Sequence, residues 1–292
     1  MSSRILVPVD GSAESRRAFT HAVGQFPDAD IALLHVIEPF ADHTKAGGHA
    51  GGRANRVFEE GQHLLDEIAD AHEGSGTVST HLVYGRPVHV IPRYVETSGI
   101  DEVVMGSRGR GGTTRLLLGS VAEAVVRRVP VPVTVVRSTD GGDEDTPQPP
   151  AHVLVPFDRS FCSRSALEYA FEQFPDATVT VLFVAYPLFD TDERVASADD
   201  LDDVFTAAEA TERETHDVFA MARRIADRNG REVDTATETG EPSRGILAWI
   251  DGNDVDHVVI GCHGRSGVAR WLLGSVAETV VRRAPVPVTA VK

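Results

Sequence analysis

Residues 117–137 read LLGSVAEAVVRRVPVPVTVVR, and residues 272–292 read LLGSVAETVVRRAPVPVTAVK. The two stretches agree at 17 of 21 positions, at a spacing of 155. Identity this dense within one chain marks a duplicated unit, each copy of which forms the same supersecondary structure. Working outward, ILVPV at 5–9 is answered by VLVPF at 153–157, and Phe26-Pro27 by Phe174-Pro175, both at a spacing of 148. By Gly85 and Gly240 the spacing is 155, so seven extra residues enter the second repeat between those points, within the acidic segment 190–203. The stretch STDGGDEDTPQPP at 138–150 is acidic, rich in Gly and Pro, and has nothing to bury. It reads as a linker. The expected organisation is one domain over 1–138, a linker over 139–150 and a second domain over 151–292.

Each repeat alternates short apolar runs with helical patterns. In the first, ILVPV (5–9) predicts a buried strand, Asp10-Gly11 a turn, and Ser12 the N-cap of a helix to about Val23. Phe26-Pro27-Asp28 stops that helix, and 31–36 forms the second strand. A Gly- and His-rich segment over 39–52 precedes a helix to about His72, and 78–83 is the third strand. Gly85-Arg86-Pro87 opens a helix to about Thr97, and 103–105 is the fourth strand. A helix over 120–128 stops at Pro130, leaving 131–136, and 286–291 in the second repeat, as the last strand. Near-continuous apolar strands separated by helices imply a parallel sheet covered on both faces. The fold class is therefore α/β, with two tandem doubly wound, five-stranded, mainly parallel Rossmann-like sheets. Ligands are expected at the carboxyl ends of their strands.

The chain carries 44 acidic against 28 basic residues, a formal net charge of −16, and its only lysines are Lys45 and Lys292. A duplex repels a surface of its own sign, so general nucleic-acid binding is not expected. Acid-rich, lysine-poor composition is that of proteins from salt-loving archaea, where salt screens the self-repulsion. The most apolar stretch, 179–189, is about half the roughly 20 residues that a spanning helix needs, and no signal-peptide layout precedes the first strand. Cys162 and Cys262 stand at non-equivalent positions and suggest neither a disulfide framework nor a metal site. His35, His43 and His49 are unevenly spaced, which suits surface residues better than metal ligands. A halophilic, cytoplasmic protein with no membrane contact is the expectation.

The chemistry concentrates in one pattern, written twice. Gly106-x-x-Gly109 is followed after nine residues by Gly119-Ser120, and Gly261-x-x-Gly264 after nine by Gly274-Ser275. Glycines just beyond a strand permit positive φ and close backbone approach, so that successive amides can face an anion. Ser120 and Ser275 begin helices whose unpaired N–H groups and positive dipole end favour phosphate. A serine hydroxyl there can also cap the helix. From 103 to 122 and from 258 to 277 there is no acidic residue, while Arg108, Arg110 and Arg115, and His263, Arg265 and Arg270, are present. The competing explanation is an ordinary strand-to-helix turn; spacing, charge and duplication together favour an anion pocket.

Gly-2x-Gly-9x-Gly-Ser after an apolar fourth strand, followed by a Val-x-x-x-Val helix and Pro-Val-Pro-Val, resembles the universal stress protein family over essentially the whole chain. The resemblance implies an adenine-nucleotide α-hydrolase-like fold that binds ATP, together with Mg2+. It places adenosine at Pro8, Val9 and Asp10, with the carboxylate on the ribose and the Val36 backbone on adenine. Met105, Gly106, Arg108, Gly109, Arg110, Gly119, Ser120 and Val121 would surround the phosphates. The second site would use Pro156, Asp158, Val184, Gly261, His263, Gly264, Arg265, Gly274, Ser275 and Val276. Arg108 stands where the family often has histidine, and Phe157 and Arg159 alter the adenosine end of the second site. The resemblance also implies that 131–136 and 286–291 pair across a pseudo-two-fold axis, making an intramolecular pseudo-dimer, alone or within a homodimer of tandems.

No second carboxylate, activated nucleophile or phosphate-loop lysine accompanies Asp10, so no residue is assigned a catalytic role. The expected function is a nucleotide-dependent stress-response or regulatory module. A slow ATPase or an adenylyl-transferring enzyme on the same scaffold is the alternative.

Overall fold

The computed structural model describes residues 3–38, 50–71, 76–109, 118–137, 149–186, 198–262 and 273–292, with backbone alone over 50–54 and 198–207. The chain divides into two compact units, one of residues 1–149 with 285–289, the other of residues 150–284 with 290–292. The first repeat runs β1 (Arg4–Pro8), α1 (Ala13–Gln25), β2 (Asp30–Ile37), α2 (Ala50–Asp70), β3 (Val78–Tyr84), α3 (Pro87–Thr97), β4 (Glu102–Gly106), α4 (Ser120–Arg128) and β5 (Val133–Val136). Its strands lie in the order β3-β2-β1-β4-β5 and pair in parallel. The second repeats the plan with β6 (His152–Pro156), α5 (Phe161–Gln173), β7 (Thr178–Ala185), α6 (Ala198–Arg228), β8 (Asp234–Thr239), α7 (Pro242–Gly252), β9 (His257–Gly261), α8 (Ser275–Arg283) and β10 (Val288–Val291). Its order is β8-β7-β6-β9-β10, with β8-β7, β7-β6 and β6-β9 parallel. The expected α/β fold with two doubly wound five-stranded halves is what forms.

The sequence dictates these elements locally. Ile5, Leu6 and Val7 are all essentially inaccessible, as befits a central strand covered on both faces. In α1, Ala18, Phe19 and Ala22 recur at helical spacing and pack with Val7, Leu33, Leu65 and Val104 in one apolar cluster. Small alanines let the helix lie close to the sheet. The helix ends where the Phe26 amide bonds the Ala22 carbonyl at 2.9 Å and Pro27 follows, which supplies no amide to continue the ladder. The second repeat makes the same core with Ala166, Leu167, Ala170 and Phe171 on α5.

One expectation is corrected and one is extended. The last strands begin at Val133 and Val288 rather than at 131 and 286. Proline cannot donate to a ladder, and it restricts the residue before it; Pro130 and Pro132, like Pro285 and Pro287, therefore delay the strand. The extra length of the second repeat also enters a helix. From Ala198 onward the acidic segment belongs to α6, which spans 31 residues against 21 for α2, while 190–197 lies outside the described residues.

Candidate functional site

In each half the chain leaves the first strand toward one edge of the sheet and the fourth strand toward the other. The carboxyl ends of β1 and β4 therefore border the crevice that such sheets present to ligands. Pro8 ends β1 and is followed by Val9 and Asp10, while Met105 and Gly106 end β4 and are followed by Ser107; Val9, Met105 and Ser107 are buried. The geometry gives Gly106 a packing reason beside any ligand role. A Cβ there would stand 2.8 Å from the Glu14 carbonyl carbon and from its Cβ, so glycine lets the start of α1 rest on the end of β4.

Asp10 organises the turn between β1 and α1. Its Oδ1 accepts from the Ser12 hydroxyl at 2.6 Å and the Ser12 amide at 3.0 Å. Ser12 in turn caps α1, its Oγ accepting from the Ser15 amide at 3.2 Å. The other carboxylate oxygen faces the glycine loop, because a Cβ on Gly109 would run into Asp10 Oδ2. The structure thus brings Asp10 and Gly109 together from opposite sides of the crevice. Val36 stands half-buried on β2. The Leu34 carbonyl accepts from the Val9 amide at 2.9 Å, and backbone groups in a strand turn to the same side every second residue. Those of Val36 therefore point past the end of β1 into the crevice.

Helix α4 starts from Gly119, and no side chain caps it. Ser120 is its first residue and is exposed; the expectation that the serine hydroxyl caps the helix is corrected. Among the described residues the first-turn amides meet no side-chain acceptor, an arrangement that suits an anion. Gly119 itself is pinned to the crevice, its amide donating to the Ser107 carbonyl at 2.8 Å, while the Ser107 amide donates to Val136 at 2.8 Å. Ser107 is fully buried, and its hydroxyl has no hydrogen-bond partner among the described residues. Val121, next along α4, is half-buried.

The charge around this point differs from what the acid-free window suggests. Glu14 reaches in from α1 and pairs with Arg108, Oε1 to Nη2 at 3.3 Å, so residues distant in sequence return an acid to the basic patch. A second guanidinium stands close by. Burial, and then its neighbour Arg108, brings Arg137 down to about 10. Arg137 was detectable in the sequence, since the duplicated stretches end on matched basic residues, Arg137 and Lys292. Glu14 and Ser107 have no comparable sequence signal, as their counterparts are Cys162 and Cys262.

The second repeat keeps the backbone arrangement. The Asp158 Oδ1 accepts from the Ser160 amide at 2.9 Å, and Ser160 caps α5 through the Ser163 amide at 3.1 Å. A Cβ on Gly261 would meet the Cys162 carbonyl carbon at 2.6 Å and the Ser163 nitrogen at 2.7 Å. The Gly274 amide donates to the Cys262 carbonyl at 2.7 Å, and α8 starts at Ser275 from this uncapped glycine. Pro156 is buried, while Val184 and Val276 are half-buried. Val184 would touch a Cβ on Gly245 of α7 at 3.0 Å, so its side chain is spent on packing. Burial pushes the Cys262 thiol up to about 12 and lowers Lys292. Arg159 adopts a left-handed backbone, φ 66°, where the first repeat has Gly11 at 81°. Its side chain extends to Glu214 and Asp217 of α6 at 3.8 and 3.7 Å. Arg110, His263, Gly264 and Arg265 lie outside the described residues. Among the described residues no cluster of three or more His, Cys, Asp or Glu could hold a metal ion, and no helix is long and apolar enough to cross a membrane.

Comparison with known proteins agrees with this reading of the fold. The model of the Universal stress protein family matches residues 1–137 and again 151–292. A universal stress protein of Mycobacterium bovis is 34% identical over 301 residues, spanning 97% of this chain and 95% of its own. One from Mycolicibacterium smegmatis is 30% identical over 302 residues, spanning 99% and 96%. Among solved structures, a universal stress protein from Archaeoglobus fulgidus superposes with a TM-score of 0.66 at 27% identity, covering 100% of this chain and 97% of its own.

Proposed function

Since the chain belongs to the universal stress protein family, we propose that each of its repeats binds one ATP, with Mg2+, at the carboxyl ends of its strands. The bound nucleotide would make the protein a regulatory module of a stress response. The observation that carries this reading is the twice-repeated start of a helix on a glycine held against the strand end. Gly119 bonds Ser107 and Gly274 bonds Cys262, at 2.8 and 2.7 Å, and neither helix has a side-chain cap. Phosphate binds such helix starts through amides and dipole together. Asp10 and Asp158, beside the crevice, suit a ribose hydroxyl, and the Val36 and Val184 backbones suit a base edge.

The ATPase or adenylyl-transferring alternative is weaker on the same geometry. Asp10 already accepts two hydrogen bonds from Ser12, which favours a positioning role over that of a general base. Mass spectrometry of the nucleotide that co-purifies in molar salt identifies the ligand, and calorimetry counts it. Gly109→Val, which drives a side chain onto Asp10, removes one equivalent of ATP and leaves the second. Unchanged stoichiometry in that variant overturns the site assignment. A steady multiple-turnover hydrolysis abolished by Asp10→Asn overturns the regulatory reading in favour of the enzyme. The proposal extends to a cytoplasmic, salt-adapted protein whose two repeats form a pseudo-dimer. Light scattering across salt concentrations separates a self-contained tandem from a homodimer of tandems.

A further inference from the structure

Glu14 and Arg108 make an ion pair inside the crevice of the first repeat, and both side chains are largely withdrawn from solvent, at 18% and 12% exposure. Glu14 lies in the first turn of α1, where the helix dipole favours a carboxylate. Gly106 lets it approach, since a Cβ there would strike Glu14. Arg108 is not saturated by the contact: its Nε is buried and has no hydrogen-bond partner among the described residues. The same location in the second repeat is identified structurally, because a Cβ on Gly261 would strike Cys162. There a thiol replaces the carboxylate.

An ion pair only partly open to water holds its partners more firmly than a surface pair does. A phosphate entering beside Arg108 must therefore share the guanidinium with Glu14 or displace it, and it meets the Glu14 charge in doing so. We propose that Glu14 is a built-in competitor for the anion in the first repeat, making this site discriminate against ligands in proportion to their negative charge. The proposal rests on the reading that phosphate binds at the start of α4. Under it Glu14 is a specificity-determining residue, setting how strongly the first site prefers a triphosphate to a monophosphate.

The test titrates the full chain by calorimetry with ATP, AMP and adenosine in Mg2+-free buffer, so that ATP carries its full charge, in a Ser275→Glu background that places a carboxylate at the start of α8 and silences the second site. Adding Glu14→Gln is expected to tighten ATP roughly tenfold and AMP roughly threefold, and to leave adenosine unchanged, because the gain scales with ligand charge. Glu14→Cys, which installs the residue found at this place in the second repeat, gives the same order and guards against a folding defect of the first variant. A gain equal for all three ligands, or no gain for ATP, overturns the competitor role while the site stands. If the Ser275→Glu chain binds no nucleotide at all, the phosphate site of the first repeat fails, and the competitor role with it.

Discussion

The crevice of the first repeat holds Glu14, Ser107, Arg108 and Arg137, while the matching crevice of the second holds Cys162, Cys262 and Lys292. Around these unlike side chains the backbone is nearly the same in both. Each has an Asp-anchored turn, a serine-capped helix, a strand-end glycine pressed against that helix and a second helix begun on glycine. Duplication has preserved the backbone groups that could hold an anion and released the side chains that adjust its charge. Backbone amides depend on geometry, which the core enforces, whereas the neighbouring charges can change without disturbing the packing.

The comparison breaks first if the two glycines at the strand ends are not equivalent. Gly106→Ala and Gly261→Ala each force a methyl group into backbone atoms 2.6–2.8 Å away. Each is expected to destabilise the chain by about 3 kcal/mol or more, with the second the worse because its contacts are closer. Midpoints of denaturant unfolding check both, and a loss well under 1 kcal/mol in either would mean that the helix is not held against the strand.

A pH difference sharpens the comparison next. His21 on α1 corresponds to Tyr169 on α5, and burial lowers the His21 imidazole to about 4. The folded chain keeps it neutral, while the unfolded chain takes up a proton below about pH 6.5. Stability from this residue is therefore full above pH 6.5 and lost as the pH falls toward 4, by up to about 3 kcal/mol. His21→Tyr should flatten that limb of the stability profile; an unchanged acid limb would sink the assignment.

The smallest effect concerns Arg159 and Gly11. A left-handed backbone at a residue other than glycine costs about 1 kcal/mol, so Arg159→Gly should stabilise the second repeat by about 0.5–1 kcal/mol, less whatever its contacts with α6 contribute. The reciprocal Gly11→Arg should destabilise the first by a similar amount. Thermal melts read both, and a clear loss of stability in Arg159→Gly would show that the ion pairs to Glu214 and Asp217 outweigh the strain.

The architecture was legible in the sequence because each strand is a run such as ILVPV buried on both faces, and because Ser12, Pro27, Gly85 and Pro130 punctuate the helices by local chemistry. The duplication then placed the crevice, since it repeats the glycine-serine step into α4 and α8. The charge inside the crevice was not legible. Glu14 belongs to the first turn of a helix early in the chain, and only the packing of α1 on β4 brings it to Arg108. An acid-free window counts neighbours along the chain, whereas an electrostatic site is built from neighbours in space. Ser107 was hidden for a related reason, because its partner residue is Cys262 and the pattern shared by the repeats omits it.

The hydrogen bond from Gly119 to Ser107, and its twin from Gly274 to Cys262, has a consequence for how the chain can change over time. The two positions that flank each stretch of eleven residues, Ser107 with Gly119 and Cys262 with Gly274, are held a single hydrogen bond apart, at 2.8 and 2.7 Å. Closing a segment whose ends already meet becomes only logarithmically harder as residues are added, about 0.6 kcal/mol per doubling of its length. The strand register and the helix start are then insulated from insertions there. This pinch gives each repeat a place to gain new recognition surface without refolding its sheet.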